Sequence, residues 1–337
     1  MSNSIDLTFL VLAYKQAKKG YGKVASNPLV GAVLVKDNKL IEVGYHESFG
    51  GDHAEVNLLK KVNKTVSNGA TLYVTLIPCC HTGKTPPCTD AIIKAGISRV
   101  VYASDDPNPL IAGKSVQILE SAGVQVEKIF VKKIDHLNRR FFYNISTGKP
   151  YITLKVAMTI DGMVALENNR NSKNNITNDL ARSDLHKIRA GHEAILVGSN
   201  TLLFDNPNLG VHGTEFGTDP FRFLFTTKEL DVFDASFEFF RDSRYCLVSS
   251  YDELIKECRN RSISSVLVEG GPTVLSYFMK NGYYNELIVY YANFALGSDN
   301  LPALKSIGIN SLATVKKLKL VDIKRFADNY RVKYINI

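Results

Sequence analysis

The sequence predicts an α/β protein of two domains, one over residues 1–148 and one over 149–337. Three observations carry that prediction. The chain has 337 residues, more than one ordinary domain holds and enough for two that each bury a core. Short apolar runs with strand character alternate with stretches of helical spacing in both halves. Between the halves, Ser146-Thr147-Gly148-Lys149-Pro150 breaks the pattern.

In order along the chain, Leu7 to Lys19 has helical spacing, with Lys15, Lys18 and Lys19 opposite its apolar face. Gly20 to Ala25 fits G-x-G-x-x-A but follows a helix rather than a strand, so it reads as a turn. Gly31 to Lys36 reads as a strand, Asp37-Asn38 as a turn and Leu40 to Val43 as the returning strand. A helix starts at His53 and runs to Lys61, Thr71 to Leu76 is a strand, and Asp90 to Ala95 begins a helix. Val100 to Ala103 is a strand, Val116 to Ala122 a helix, and Val131 to Ile145 a charged helical stretch. The second half restarts with a strand from Tyr151 to Ala157 and a polar loop from Asn168 to Asn178. Leu180 to Ala190 is a helix; Ala194 to Val197, Phe221 to Phe225 and Val266 to Val268 are buried strands. The last of these runs into Glu269-Gly270-Gly271-Pro272-Thr273 and a helix, and strands at Leu287 to Tyr291 and Arg331 to Ile335 close the chain.

Bulk properties exclude several classes. The net charge of +8 is spread along the chain without a basic tail, so a small phosphate-bearing substrate accounts for it and no nucleic-acid partner is expected. The cysteine count is 5, odd, and three of them share one motif, which argues for a reducing compartment and against a disulfide framework. Leu7 to Ala13 follows Asp6 and is too short for a signal peptide, and no run is long enough to span a membrane. A cytoplasmic protein with no membrane partner is expected.

The chemistry concentrates in His53-Ala54-Glu55 and Pro78-Cys79-Cys80-His81-Thr82-Gly83-Lys84-Thr85-Pro86-Pro87-Cys88. A zinc deaminase holds Zn²⁺ with one His and two Cys, or with three Cys, and leaves the fourth position to water. A Glu two residues after the His then moves protons; His53 and Glu55 stand in that relation, and Cys79 follows Pro78. The second Cys normally comes three residues after the first, but Thr82 stands there and the next cysteine is Cys88. Gly83, Pro86 and Pro87 let the enlarged loop turn back, with Cys80 and His81 as rival ligands inside it. A structural zinc knuckle is the alternative, and it leaves Glu55 and the Pro-Cys pair without a role. Farther on, a strand, two glycines and a helix opening on Pro272-Thr273 form an anion site suited to a pyrophosphate.

Taken together, these residues resemble the bifunctional deaminase/reductase family of riboflavin biosynthesis. The likeness extends through Asn27-Pro28, Val30-Gly31, Gly44-Tyr45-His46, Asp106-Pro107-Asn108-Pro109 and Ala112-Gly113-Lys114. It continues through Thr153-Leu154-Lys155, Asp161-Gly162, Ala194 to Gly198 and Glu269-Gly270-Gly271, and weakens after about residue 290. The resemblance implies a cytidine-deaminase-like α/β/α sandwich over residues 1–148 and a dihydrofolate-reductase-like α/β domain over 149–337. It implies zinc on His53, Cys79 and Cys88, proton transfer by Glu55, and a phosphorylated ribosylaminopyrimidine as substrate. Asn27, His46, His81, Lys84, Asp106 and Asn108 would bind that substrate in the deaminase. In the reductase, NADPH would touch Ala157, Thr201, Asp205, Gly271, Pro272 and Thr273, and substrate would touch Arg189, Leu209 and Glu269. Lys155, or failing that Glu269, would supply the acid as hydride reaches the ribose. A homo-oligomer, dimer or tetramer, is expected.

The chain departs from the family pattern at several positions. Asn175 stands for an aromatic, Lys173 for a serine, Asn206 for the second Asp of Asp-Asp-Pro, and His212 for a substrate-binding Arg. Ile77 stands for a Glu, and Cys80 for a small polar residue. A deaminase whose second domain is a catalytically silent binding module is therefore the alternative.

Overall fold

A first helix, α1 (Ser2–Ala17), leads through a tight turn to a hairpin of β1 (Gly31–Lys36) and β2 (Lys39–Tyr45). Asp37 and Asn38 link them at φ of 51° and 57°, a left-handed pair that favours such short polar residues and gives a tight hairpin. The structure is a computed structural model that describes residues 2–82, 85–108, 111, 113–167, 175–213, 217–315 and 317–336. It separates into two compact units, Met1–Gly148 and Lys149–Ile337.

In the first unit the hairpin is followed by α2 (Ala54–Leu59), α3 (Lys64–Ser67), β3 (Thr71–Leu76), α4 (Cys88–Lys94), β4 (Arg99–Ser104), α5 (Lys114–Ser121) and β5 (Gln125–Lys128). Two further helices, α6 (Lys132–Asp135) and α7 (Arg139–Thr147), are separated by a single 3₁₀ turn where the sequence reads as one helical stretch. The sheet order is β2-β1-β3-β4-β5, with β3, β4 and β5 parallel and the hairpin antiparallel. Alternation along the strands splits the core in two. Ala32, Leu34, Leu72, Val74 and Val100 pack with Ala54, Leu58 and Ile92 of α2 and α4. Val33, Val35, Tyr73 and Val101 face the other way, onto Leu10 and Ala13 of α1 and Ile134 of α6. The result is an α/β/α sandwich whose α2 and α4 both start at the same end of β3.

The second unit runs β6 (Tyr151–Met158), β7 (Met163–Ala165), α8 (Asp179–Ala190), β8 (Ala194–Gly198), α9 (Ser199–Asp205), β9 (Phe221–Phe225), β10 (Tyr245–Val248) and α10 (Tyr251–Asn260). It ends with β11 (Ser265–Val268), α11 (Pro272–Asn281), β12 (Glu286–Tyr291), β13 (Leu301–Pro302), β14 (Leu318–Phe326) and β15 (Asn329–Asn336). The main sheet has the order β10-β9-β8-β11-β6-β12-β15-β14, parallel up to β12 and antiparallel beyond it. Leu254 of α10 and Val274, Leu275 and Phe278 of α11 cover one face together with Ile152, Leu154 and Leu196. Ala181 and Ile188 of α8, and Leu202 of α9, cover the other. Both faces of the parallel strands are thus buried, which leaves their carboxyl ends as the place where polar side chains converge. Among the described residues, no helix is long and apolar enough to cross a membrane.

Candidate active sites

Three elements bring the donors of the first site together. His53 is the N-cap of α2, Cys79 follows β3 on the Ile77-Pro78 extension, and Cys88 is the first residue of α4. The loop folds back so that the Thr89 N–H donates to the Cys79 carbonyl at 3.2 Å and the Cys88 N–H donates to Cys79 Sγ at 3.4 Å. His53 Nδ1 then lies 3.2 Å from Cys88 Sγ and 3.4 Å from Cys79 Sγ, and the three donor atoms all fall within 4.8 Å of one another. Zinc bound tetrahedrally to imidazole and thiolate requires N···S edges of about 3.5 Å, so the donor set fits that ion. Cys80 and His81 lie outside this cluster.

The donors already share protons in the way a cation would complete. Hydrogen bonding from Cys88, against the cost of burial, holds the Cys79 thiol down to about 4, and the Cys79 bond in turn lifts His53 to about 8. Glu55, two residues on, is buried, and burial pushes its carboxyl up to about 7. Its Oε2 meets no hydrogen-bond partner among the described residues, an orphaned acceptor beside three metal donors.

Around this centre, Asn27 Nδ2 donates to His46 Nε2 at 3.0 Å, while His46 Nδ1 donates to the Asp52 carbonyl at 2.9 Å. That pattern needs a neutral imidazole, and burial lowers the His46 pKa accordingly. The His46 and His53 rings meet edge to face at 5.5 Å. Asp106 is buried after β4 and accepts the Asn108 N–H at 2.8 Å; burial raises its pKa, with His81 opposing. Lys84 lies outside the described residues.

The second unit gathers its own cluster at the carboxyl ends of β6 and β11. Arg189, in the last turn of α8, donates from Nε to Glu269 Oε1 at 2.7 Å and from Nη2 to Oε2 at 3.1 Å. Lys155 Nζ, from β6, stands 3.4 Å from the same Oε2. Burial alone would raise the Glu269 carboxyl, but Arg189 and Lys155 overcome it and hold it down at about 2. Lys155 is half-buried, and its loss of solvent lowers its pKa against the opposing pull of Glu269. Two residues along β6 on the same face is Ala157.

Next to this cluster, Gly271 is the N-cap of α11, with Pro272 and Thr273 opening the helix. Any side chain at Gly270 would strike Val274, since a Cβ there would sit 2.5 Å from the valine's own Cβ. Thr201, in α9 after β8, faces Gly271, its Oγ1 3.4 Å from where a Cβ would be. Asp205 ends α9. Leu209 is buried, and the Asn208 and Gly210 carbonyls around it accept from Arg189 Nη1 at 3.4 and 3.3 Å.

Comparison with known proteins agrees with both halves. Residues 3–104 match the cytidine and deoxycytidylate deaminase zinc-binding region, and residues 150–332 match the RibD C-terminal domain. The riboflavin biosynthesis protein RibD of Aquifex aeolicus is 35% identical over 98% of both chains. That of Escherichia coli is 33% identical over 95% of this chain and 96% of its own. The chain belongs to the RibD family. A solved RibD structure from Acinetobacter baumannii superposes with a TM-score of 0.90 at 31% identity, covering all of both chains. A Thermotoga maritima deaminase/reductase of the same kind gives 0.86 at 32% identity, again over all of both chains. The chain is therefore a two-domain enzyme of riboflavin biosynthesis, a zinc deaminase joined to a reductase that uses NADPH.

Against that RibD background the departures take on local meanings. Asn206 caps α9 in the left-handed region at φ 36°, where Asn serves as well as Asp, and its Oδ1 accepts the Glu238 N–H at 2.9 Å. His212 is exposed, with Nε2 3.1 Å from Asn208 Oδ1. Ile77 is buried in the core under α2 and α4. Lys173 lies outside the described residues. Sequence reading passed over His186, which sits on α8 three residues before Arg189 and accepts the His212 N–H at Nδ1 over 3.2 Å. The H-x-x-R spacing on one helical face was its available signal.

Proposed function

We infer that this chain acts twice on one phosphorylated pyrimidine. The N-terminal unit hydrolyses a ring amino group of a diaminopyrimidinone carrying ribosylamine 5′-phosphate, and the C-terminal unit then reduces the ribosyl group to a ribityl chain. The observation that carries the reading is the convergence of His53, Cys79 and Cys88 beside the unpartnered Glu55 oxygen. His53, Cys79 and Cys88 would hold zinc, which when bound supplies the Lewis acidity that makes hydroxide available near neutral pH. Glu55, with a carboxyl near 7, takes a proton from the attacking water and passes it to the departing amine, so that water plus amine becomes carbonyl plus ammonia. Asn27, His46, His81, Lys84, Asp106 and Asn108 bind base, ribose and phosphate; the Asn27–His46–Asp52 chain fixes the His46 ring.

In the reductase, NADPH when bound supplies the hydride. The pyrophosphate belongs at Gly271, Pro272, Thr273 and Thr201, with Ala157 and Asp205 completing the cofactor contacts. Lys155 is the acid that protonates the sugar ring oxygen or imine nitrogen as C1′ is reduced. Glu269 stays ionised under Arg189 and orients Lys155, so it does not donate that proton. The intact Lys155–Glu269–Arg189 cluster favours this reading over a silent second domain. The reading extends to a cytoplasmic homo-oligomer. Among the described residues no disulfide joins the cysteines, and the edge strand β14 exposes Leu320 and Ile323, as a subunit contact would require. Light scattering on the purified protein tests the oligomer.

The deciding experiment supplies purified, zinc-loaded protein with the diaminopyrimidine substrate, with and without NADPH. Ammonia should appear in both, and NADPH should be consumed only once deaminated product is present. No ammonia from the zinc-loaded protein overturns the first half. Ammonia without NADPH consumption leaves a deaminase with a silent partner domain.

A further inference from the structure

The loop after α9 is held almost wholly by side chains. Its backbone N–H groups are taken in turn: Gly210 donates to Asn208 Oδ1 at 3.0 Å, Val211 to Asp219 Oδ1 at 2.8 Å, and His212 to His186 Nδ1 at 3.2 Å. Its carbonyls at Asn208 and Gly210 accept from Arg189. So two residues one helical turn apart on α8 grip the loop, His186 by accepting one backbone N–H and Arg189 by donating to two carbonyls. The His186 and His212 rings also pack at 5.4 Å, inclined by 61°. Asn208 Oδ1 can only accept, so His212 Nε2 beside it carries the proton, and the His212 ring is held over the loop rather than swinging free.

We propose that His186 is a positioning residue of the reductase: its Nδ1 fixes the 206–212 loop, and with it Leu209 and the His212 ring, beside the Arg189–Glu269 pair where substrate binds. The proposal rests on the reductase reading above. The chemistry is specific. A nitrogen that accepts a backbone N–H must be unprotonated, which places the ring proton of His186 on Nε2. Burial first, then the charge of Arg189 and the neighbouring His212, lower the His186 pKa, while the Gly210 carbonyl and Glu269 oppose. The neutral form that the loop needs is therefore the favoured one. In a chain where histidine stands for arginine at 212, a ring on a loose loop would be a weak replacement for a bidentate cation. Locking the loop lets a shorter side chain serve.

Two substitutions separate positioning from packing. His186→Phe keeps a ring but removes the acceptor. His186→Asn places an amide oxygen close to where Nδ1 lies. With deaminated substrate and saturating NADPH, His186→Phe should raise the reductase KM about tenfold, the loss of one hydrogen bond. Its kcat and its NADPH affinity should stay near wild type, and His186→Asn should restore most of the KM. Deaminase kinetics report that the chain is folded. An unchanged KM in His186→Phe overturns the proposal. So does a fall in NADPH affinity that matches the KM change and is not rescued by His186→Asn, since that marks a packing role. If the wild type consumes no NADPH, the reductase reading falls, and titration with ribose 5-phosphate decides the loop by itself. Weaker binding in His186→Phe, restored in His186→Asn, upholds the positioning role; equal binding in all three refutes it.

Discussion

Arg189 holds Glu269 through two near-parallel hydrogen bonds, Nε to Oε1 at 2.7 Å and Nη2 to Oε2 at 3.1 Å. Only a guanidinium presents two donors in that plane and still reaches the Asn208 and Gly210 carbonyls with Nη1. Arg189→Lys should therefore lower reductase kcat/KM by about a hundredfold, the loss of a buried charge-assisted pair. Deaminase kinetics on the same sample should not move. Equal rates in the two proteins would show that Glu269 needs no fork to orient it.

The same pair makes a pH prediction. Glu269 titrates at about 2 in the folded chain and at about 4.3 unfolded, so its pairing contributes stability above the unfolded value. That contribution, about 3 kcal/mol, drains away as pH falls from about 4.3 toward 2. Glu269→Gln has no such charge to lose. Its stability deficit against wild type, read from denaturant unfolding, should shrink as pH drops below about 4.3. A deficit that is constant between pH 6 and pH 3 contradicts the assignment.

At the metal centre, purified protein should contain close to one zinc per chain. Cys88→Ser and Cys79→Ser should lose it, while Cys80→Ser keeps both zinc and deaminase activity, since Cys80 stands outside the donor cluster. Stripping the zinc with a chelator should abolish ammonia release and spare NADPH consumption on deaminated substrate. Retention of zinc in Cys88→Ser with loss in Cys80→Ser would reassign the ligand.

Glu55→Gln should keep the metal and still slow deamination by about 10²–10⁴-fold, the usual size of a lost general acid–base group. Elemental analysis and ammonia release on one preparation test both halves. Loss of zinc in this variant would make Glu55 a ligand.

Between α8 and β12, Asp184 accepts from Tyr290 Oη at 2.8 Å and from Arg331 Nη1 at 2.5 Å, all three buried. Asp184→Ala leaves Arg331 with Asp322 alone and takes the shared acceptor from Lys324 and Tyr290, and should cost about 2–3 kcal/mol. Tyr290→Phe removes one neutral partner and should cost about 1 kcal/mol. Unfolding curves that reverse this order would refute the electrostatic account.

How much of this was legible in the sequence depends on what each residue had to announce. β1 was readable to its ends, because Gly-Ala-Val-Leu-Val-Lys is buried on both faces and stops at an Asp-Asn turn. His53 was placed at a helix start by its motif, and it is the N-cap of α2. The spacing alone left Cys80, His81 and Cys88 open and the family resemblance pointed to Cys88; physically the choice is made by the Thr89–Cys79 backbone bond that folds the loop back. β14 escaped notice for a different reason. As an edge strand largely open to solvent, its Lys, Asp and Arg residues blur the apolar alternation that marks a half-buried strand. α10 had a usable signal, Ser250 capping the N–H of Glu253, but no chemistry drew attention to it.

The place of β6 in its sheet bears on how the chain comes to exist. β6, which carries Lys155, lies between β11 and β12, strands that do not emerge from the ribosome until residues 265–291 are made. Through most of the synthesis of the second unit, this apolar segment has no permanent neighbour on either edge. Pairing so distant in sequence is slow to find, and an unpaired apolar strand invites the wrong one. The first unit, with its local β1–β2 hairpin, carries no such delay. Deaminase competence should thus appear on nascent chains well before reductase competence, and chaperone demand should fall on the second half.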